Sequence, residues 1–513
     1  MPCYGRGCTM WPRTIELLDQ LDLADPLIQA GVVTRTGLHF HDGHRVKGGL
    51  MYGSRMDKLG DTFFKFALHL RQRLIEEIFS TATSEEYGFR PKMLHQIEGY
   101  TIGAEYDTHP VTVRVRDLKT QTVAEIKCRY LVGADGGKST VRKLADISFE
   151  GENTKSRWIR MDALVKTDMP NPRCLNSIDS TSHGQILWCP IDNGMTRIGY
   201  VFSAALIEKY GGVEGVTQDV AIAEARKALA PFELEFLNVE WFTIYGIGQR
   251  IAGTFCVDNR VFLAGDACHT HSSGSAQGLN TGIHDALRVQ GFARKNLLDS
   301  YNDERRGVVQ TRSQVIDNDK VISTLISGHY PPRFQGRSEP PRFLFSLDVS
   351  SSFLNSNALG PSRATIDPGE RGPDVYLTSL GAGDPVRLQK ILSNRAKFSI
   401  VVFAGSPEHT RPILLELRIA LAAQDSFVNV FPKQIFQWFT VPAASGNGGQ
   451  DILGCQPFGK VYLDGNMKAH EKYGVDVQRG AIIVFRPDGW VGTVVPLQGS
   501  ALLRAYFEMI LEV

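Results

Sequence analysis

What this sequence lacks narrows it before any motif is read. No stretch approaches the ~20 consecutive apolar residues that cross a bilayer, so no membrane span is expected. Lysine and arginine number 56 against 55 aspartates and glutamates, a net charge of +1. These charges are scattered, which excludes the broad basic field that a nucleic-acid partner needs. The 8 cysteines form no CxxC pair and no metal-ligand comb, so neither a disulfide framework nor a metal centre is expected. The opening segment MPCYGRGCTMWPRTIELL is without the charged-then-apolar layout of a secretory signal. The expectation is a cytoplasmic protein with reduced thiols. Its 513 residues, 42% apolar and 22% charged, suffice for two or three domains with sizeable cores.

What is present is concentrated in residues 261–285, VFLAGDACHTHSSGSAQGLNTGIHD. The short apolar run 261–264 reads as a buried strand, followed by a Gly/Ser turn and a helix from near Asn280. Asp266 stands at the carboxyl end of that strand, where open α/β sheets bind ligands. Gly274, Gly278 and Gly282 permit close backbone approach, and a helix N-terminus offers unsatisfied N–H groups to an anion. An ordinary strand–turn–helix corner reads the same way.

A second corner lies upstream. Residues 111–126 alternate as a hairpin, and 130–133 form a short strand that runs into GADGGKSTVR at 133–142. There glycines bracket Asp135, and Ser139 and Arg142 open a helix. Such a turn can hold a phosphate or ribose, with Arg142 making charge-assisted bonds; a tight turn with a serine cap is the other reading. Nearer the start, Thr14 reads as a helix N-cap with Ile15, Leu17, Leu18 and Leu21 behind it. Arg13 beside it is either a solvated charge or a ligand contact. Residues 69–79 read as a helix with Gln72 and Glu76 on one face. Residues 155–250 are rich in strands, a sheet suited to covering a substrate pocket, with His183 and Tyr200 either pocket groups or, the reading favoured for each, structural residues. Residues 328–373 hold many prolines, glycines and serines and read as a long connection. The pattern restarts at 397 with strands at 398–403, 461–464, 480–485 and 490–495 and helices at 411–423 and 499–511, a small α/β domain.

Taken together and in this order, GADGGKSTVR and GDACHTHSSGSAQGLNTGIHDA resemble the paired motifs of the FAD-dependent aromatic hydroxylases, the group A flavin monooxygenases. The phrase GDACHTHS is especially similar to the phenol 2-monooxygenase branch. The resemblance implies a fold of mixed α/β and α+β type. It has a p-hydroxybenzoate hydroxylase-like FAD-binding domain in 1–150 and 251–328, and a β-sheet substrate domain in 151–250. A linker at 329–396 then leads to a thioredoxin-like α/β domain at 397–513, in which Cys455 stands alone. It also implies FAD as cofactor, NAD(P)H as co-substrate, O2 and a small aromatic molecule as reactants, and a homodimer. Asp266 would lie by the ribityl and pyrophosphate portion of FAD. Gly278, Leu279 and Asn280 would lie along the isoalloxazine, where a helix N-terminus stabilises negative charge on the reduced ring. Asp135, Ser139 and Arg142 would serve the flavin and the nicotinamide cofactor, Gln72 and Arg13 would contact FAD, and Tyr200 would act in the substrate pocket.

The sequence also departs from that pattern. The strand–GxGxxG–helix unit that takes the FAD pyrophosphate has no counterpart around the early Gly5 and Gly7, and the helix after Asp285 is short. Ser273 and Ala276 replace a proline and a glycine, and Ile191 stands where the pattern has a pocket arginine. These changes point away from simple phenol and towards a larger phenolic or polyketide-type substrate of secondary metabolism. The expected function is FAD-dependent oxygenation of such a molecule; the alternative is a truncated, non-catalytic relative that only binds.

Overall fold

The computed structural model describes residues 6–41, 43–50, 62–104, 107–270, 276–288, 298, 300–307, 309 and 366–511. Ser273, Gly274 and most of the expected connection at 328–373 lie outside these residues. The described chain builds five sheets. The largest has eight strands, in the order His269–Thr270, Leu234–Ala252, Phe149–Thr167, Thr196–Phe202, Gly184–Pro190, Leu175–Ser180, Gly37–His41 and His44–Leu50. Its neighbours are antiparallel except Leu175–Ser180 beside Gly37–His41. The expected substrate sheet was confined to 151–250; the structure extends it with a hairpin from the N-terminal segment. Pairing between strands so far apart in the chain leaves no local signal. Along each strand, alternate side chains take opposite faces. Ile159, Met161, Ile198, Tyr200 and Phe202 form one fully buried face. It packs under helix Gln218–Ala228, whose Ala221, Ala225 and Ala228 allow close approach.

The two motif corners meet on a small sheet. Leu131–Gly133 and Val261–Leu263 run parallel, with Leu131 opposite Val261 and Gly133 opposite Leu263. Both turns therefore leave adjacent strands at the same, carboxyl end, the binding edge of such sheets. Elsewhere the expected boundaries shift. The first helix is Pro12–Asp19, with Trp11 rather than Thr14 at the N-cap. Proline suits the first turn, where its missing N–H has no partner to lose. Ala67–His69 is a strand, and the helix that follows is Gln72–Tyr87, ended by Gly88 at φ 65°.

The C-terminal sheet has seven strands, in the order Pro385–Arg387, Tyr376–Ser379, Lys460–Leu463, Phe436–Pro442, Phe398–Gly405, Ala481–Phe485 and Val491–Val495. Its central strand puts Ile400 and Val402 into one core and Val401 and Phe403 into the other. Burial on both faces is why Ile400 to Phe403 are all apolar, with no polar alternation. The linker expected at 329–396 ends too late, because Tyr376–Ser379 and Pro385–Arg387 are strands of this sheet.

Helix Pro12–Asp19 is buried along its whole length because it is wedged against the C-terminal domain. Glu16 meets Arg371 and Arg13, and Asp19 meets Arg387 and Lys390. Arg486, at the final hairpin, meets Glu304 at 2.9 Å. Burial opposes ionisation of Glu16, yet Arg371 and Arg13 hold its carboxyl below the usual range. Breaking such a buried pair from one side costs about 3–5 kcal/mol, so these contacts fasten the two domains.

Candidate active site

The corner at 261–285 is closed by two glycines and an aspartate. Gly265 takes φ 61°, and a Cβ on Gly282 would come within 3.3 Å of the Gly265 Cα. Glycine at 282 therefore lets helix and turn approach closely without displacement, and glycine at 265 suits the left-handed turn. Asp285, further along helix Gln277–Arg288, then pins the turn. Its buried carboxylate accepts the Gly265 N–H at 2.9 Å, lies 2.8 Å from His269 Nε2 and accepts Arg305 Nε at 2.6 Å. Burial works against its charge, but Arg305 and His269 hold the carboxyl far below the ordinary range. Cys268, His269 and Asp285 bring ligand-type atoms within 4.8 Å of one another. The Arg305 guanidinium already supplies the positive charge there, which disfavours a metal ion.

Asp266 projects from the same turn and reaches solvent. Partial loss of hydration against the turn raises its pKa, against the opposing fields of His269 and Arg6. Arg6 also stands 3.9 Å from Glu76, which accepts the Gln72 side-chain amide at 2.8 Å. Arg6 thus links Gln72 and Asp266, distant in sequence, on one polar rim.

The helix starts at Gln277, earlier than expected, and Ala276 before it adopts φ 53°. A non-glycine residue there costs about 1–2 kcal/mol. Asn280 holds the strained turn. Its Nδ2 donates to Ala276 O at 2.7 Å and to Thr9 O at 3.0 Å, and its Oδ1 accepts the Trp11 N–H at 2.9 Å. Leu279 packs on Gly7, where a Cβ would come within 2.9 Å of the Leu279 Cβ. The Asn280 and Leu279 side chains therefore build the wall. What the helix end offers a ligand is its first-turn N–H groups.

At the other corner, Asp135 and Ser139 are spent on the turn itself. Asp135 accepts from the Ser139 hydroxyl at 2.5 Å and from the Thr140 and Val141 N–H groups at 2.6 and 3.1 Å, while Ser139 caps the helix through the Arg142 N–H at 3.0 Å. Arg142 bridges the corners, donating to Ala267 O at 2.7 Å and Gly137 O at 3.0 Å with its guanidinium over Phe149. Two other candidates lie elsewhere. Arg13 faces the C-terminal hairpin, donating to Gly489 O at 2.8 Å and covering Trp490. Tyr200 lies on the buried face of the large sheet, where its hydroxyl donates to Ala221 O at 2.7 Å. Strand alternation sends it away from the corner at 261–285. His183 packs on Tyr200 and lies 3.0 Å from Glu224.

A cluster with no local signature lies on the opposite face. His69 Nδ1 is 3.0 Å from Thr9 Oγ1 and 3.2 Å from Cys189 Sγ, and its Nε2 is 2.6 Å from Thr34 Oγ1. Burial, with Arg173 adding to it, pushes His69 down to about 3. Cys8 packs beside Cys189. Its thiol is pushed down to about 5, led by the Cys189 hydrogen bond against desolvation and helped by Arg197 and Arg160. Strands far apart in sequence bring these residues together, so only cross-chain pairing could have revealed them.

The chemistry of this donor set suits the ring-side half of a flavin: an accessible carboxylate for hydroxyls, an amide and guanidinium rim, and a helix N-terminus for developing negative charge. Known proteins agree with it. Residues 2–316 match the family model described as FAD binding domain, and residues 450–513 match the phenol hydroxylase C-terminal dimerisation domain. A phenol 2-monooxygenase of Aspergillus fumigatus is 25% identical over 79% of this chain and 74% of its own length. The 3-hydroxybenzoate 4-monooxygenase of Comamonas testosteroni is 26% identical over 97% of this chain and 87% of its own. Among solved structures, an aklavinone-11 hydroxylase complex with FAD and aklavinone has a TM-score of 0.71 at 17% identity, covering 99% of this chain and 92% of that one.

Proposed function

We infer the function from one premise: this chain belongs to the FAD-binding domain family and is a flavin-dependent monooxygenase. FAD is its cofactor and NAD(P)H its co-substrate. When bound, the flavin supplies hydride acceptance and O2 activation. This chain's residues supply binding and electrostatics. Asp266 and Gln72 take polar groups of the cofactor. The first turn of helix Gln277–Arg288 would stabilise negative charge on the ring. Asp285 and Arg142 hold the two corners at fixed separation. Asp135, Ser139, Leu279 and Asn280 act by positioning that frame.

The observation that carries this reading is the pairing of the two corners on adjacent parallel strands, stapled by Arg142. The substrate is a phenolic or polyketide-type aromatic of secondary metabolism, hydroxylated on an electron-rich ring with O2. The Comamonas relative's 3-hydroxybenzoate and the aklavinone of the solved complex support an aromatic ligand. The match to a dimerisation domain supports a homodimer through residues 450–513. The strand order of the C-terminal sheet supports a thioredoxin-like arrangement there, with Cys455 buried as a packing residue. No described helix is long and apolar enough to cross a membrane, and a cytoplasmic location is the reading adopted. None of the relatives named above supports the non-catalytic alternative.

The test is to purify the protein, incubate it with FAD, remove excess and record the visible flavin bands. NADPH oxidation that yields a product heavier by one oxygen atom is the expected companion result. Protein that retains no flavin after incubation would overturn the assignment.

A further inference from the structure

One face of the eight-stranded sheet is closed; the other is partly open to solvent. Register places Arg160 opposite Gly199 on one side and Thr243 on the other. The next pair along this face sets Trp158 beside Tyr245, and the pair beyond sets Asp162 between Arg197 and Trp241. On the reverse face Ile159, Met161, Ile198 and Tyr200 are all 0% exposed, whereas Trp158, Arg160, Trp241 and Tyr245 are only partly buried. The Arg160 side chain lies across Gly199, with its Cγ 3.6 Å and its Nε 3.7 Å from where a Cβ would stand.

The carboxylates on this face are taken by other partners, and the lowered Cys8 thiol shares the field of Arg197 and Arg160. Asp162 is consumed by Arg197 through two contacts of 2.7 Å. Glu240, on a neighbouring strand, pairs with Arg71 at 2.9 Å. Among the described residues no carboxylate pairs with Arg160, whose guanidinium lies 5.3 Å from the centre of the Tyr245 ring. Arg197 also donates to Arg6 O at 2.6 Å, so this face adjoins the rim that carries Asp266.

We propose that Arg160, walled by Trp158, Trp241 and Tyr245, is the substrate's anion receptor, taking an aromatic ring that bears an ionised oxygen. The proposal rests on the monooxygenase reading and narrows its substrate class. A planar guanidinium binds an oxyanion through charge-assisted bonds, and flanking aromatics stack the attached ring. The oxyanion is an acidic phenolate or an aryl carboxylate.

The experiment follows tryptophan quenching on titration with 1,8-dihydroxyanthraquinone, anthraquinone-2-carboxylate and the methyl ester of the latter, at a pH above the first phenol ionisation of the dihydroxyanthraquinone, in wild type, Arg160→Met and Arg160→Lys. Wild type should bind at least one anion about tenfold or more tighter than the neutral ester. The favoured anion identifies the source. Arg160→Met should lose that preference and keep ester binding, and Arg160→Lys should retain part of it. Equal affinity for anions and ester in wild type, or an unchanged preference in Arg160→Met, would overturn the proposal. Flavin bands recorded on the same samples separate the two claims. Wild type that holds FAD without preferring anions sinks the receptor alone, whereas a wild type without flavin sinks the monooxygenase reading.

Discussion

Replacing Asp285 by asparagine tests the frame of the active site directly. The native carboxylate is buried between Arg305, His269 and the Gly265 N–H. Asparagine keeps the shape and removes the charge, leaving the Arg305 guanidinium buried without its anion. Removing one partner of a buried pair costs about 3–5 kcal/mol. For the flavin-binding part that corresponds to a drop on the order of 10 °C in melting temperature. The turn that presents Asp266 hangs on the same carboxylate, so FAD affinity should fall by more than about tenfold, the equivalent of ~1.4 kcal/mol. Differential scanning fluorimetry with tryptophan and flavin channels reads the first effect, and fluorescence titration with FAD the second. The double variant Asp285→Asn, Arg305→Met removes both partners and should recover a large part of the melting loss. The reasoning is refuted if Asp285→Asn melts within ~2 °C of wild type and binds FAD normally.

Acid sensitivity should follow from His69, whose folded pKa of about 3 lies below the ordinary 6.5. As pH falls below 6.5 the unfolded chain takes up the proton first. Stability is therefore full above that point and lost progressively towards the folded value, about 2 kcal/mol by pH 5. Melting temperature against pH should flatten in His69→Gln, and an unchanged slope would refute the assignment. The Cys8 thiol, pushed down to about 5, should alkylate with iodoacetamide at a rate that levels off by neutral pH. A rate still rising steeply above pH 8, about where an unperturbed thiol titrates, contradicts it. Ala276→Gly relieves the left-handed conformation at φ 53° and should stabilise by about 0.5–1 kcal/mol, read as a higher melting temperature with FAD affinity kept.

Much of this was legible in the chain. The apolar runs 261–264 and 398–403 announced buried strands, because strands covered on both faces need no polar alternation. The pair Gln72 and Glu76 was readable because helical neighbours at that spacing meet. The Asp266 turn and its helix were readable because glycine and a helix N-terminus write their chemistry locally. The roles of individual side chains were not. Arg13, Asp135, Asn280 and Tyr200 have the chemistry of ligand-binding residues, yet each is spent on structure: an interdomain contact, a cap, a strand clamp and a core hydrogen bond.

The sequence by itself determined the two glycine–aspartate corners, the alternating sheet between them and the separate C-terminal domain, since all are set by periodicity and turn chemistry within short windows. Only the tertiary structure decided that Gly37–Leu50 joins the large sheet. It alone brought Cys8, His69 and Cys189 together, and left Arg160 beside Trp158 and Tyr245 with no carboxylate partner among the described residues. The reason is physical: register and sheet order come from pairing across more than a hundred residues, and whether a charge is satisfied depends on what that pairing places opposite it.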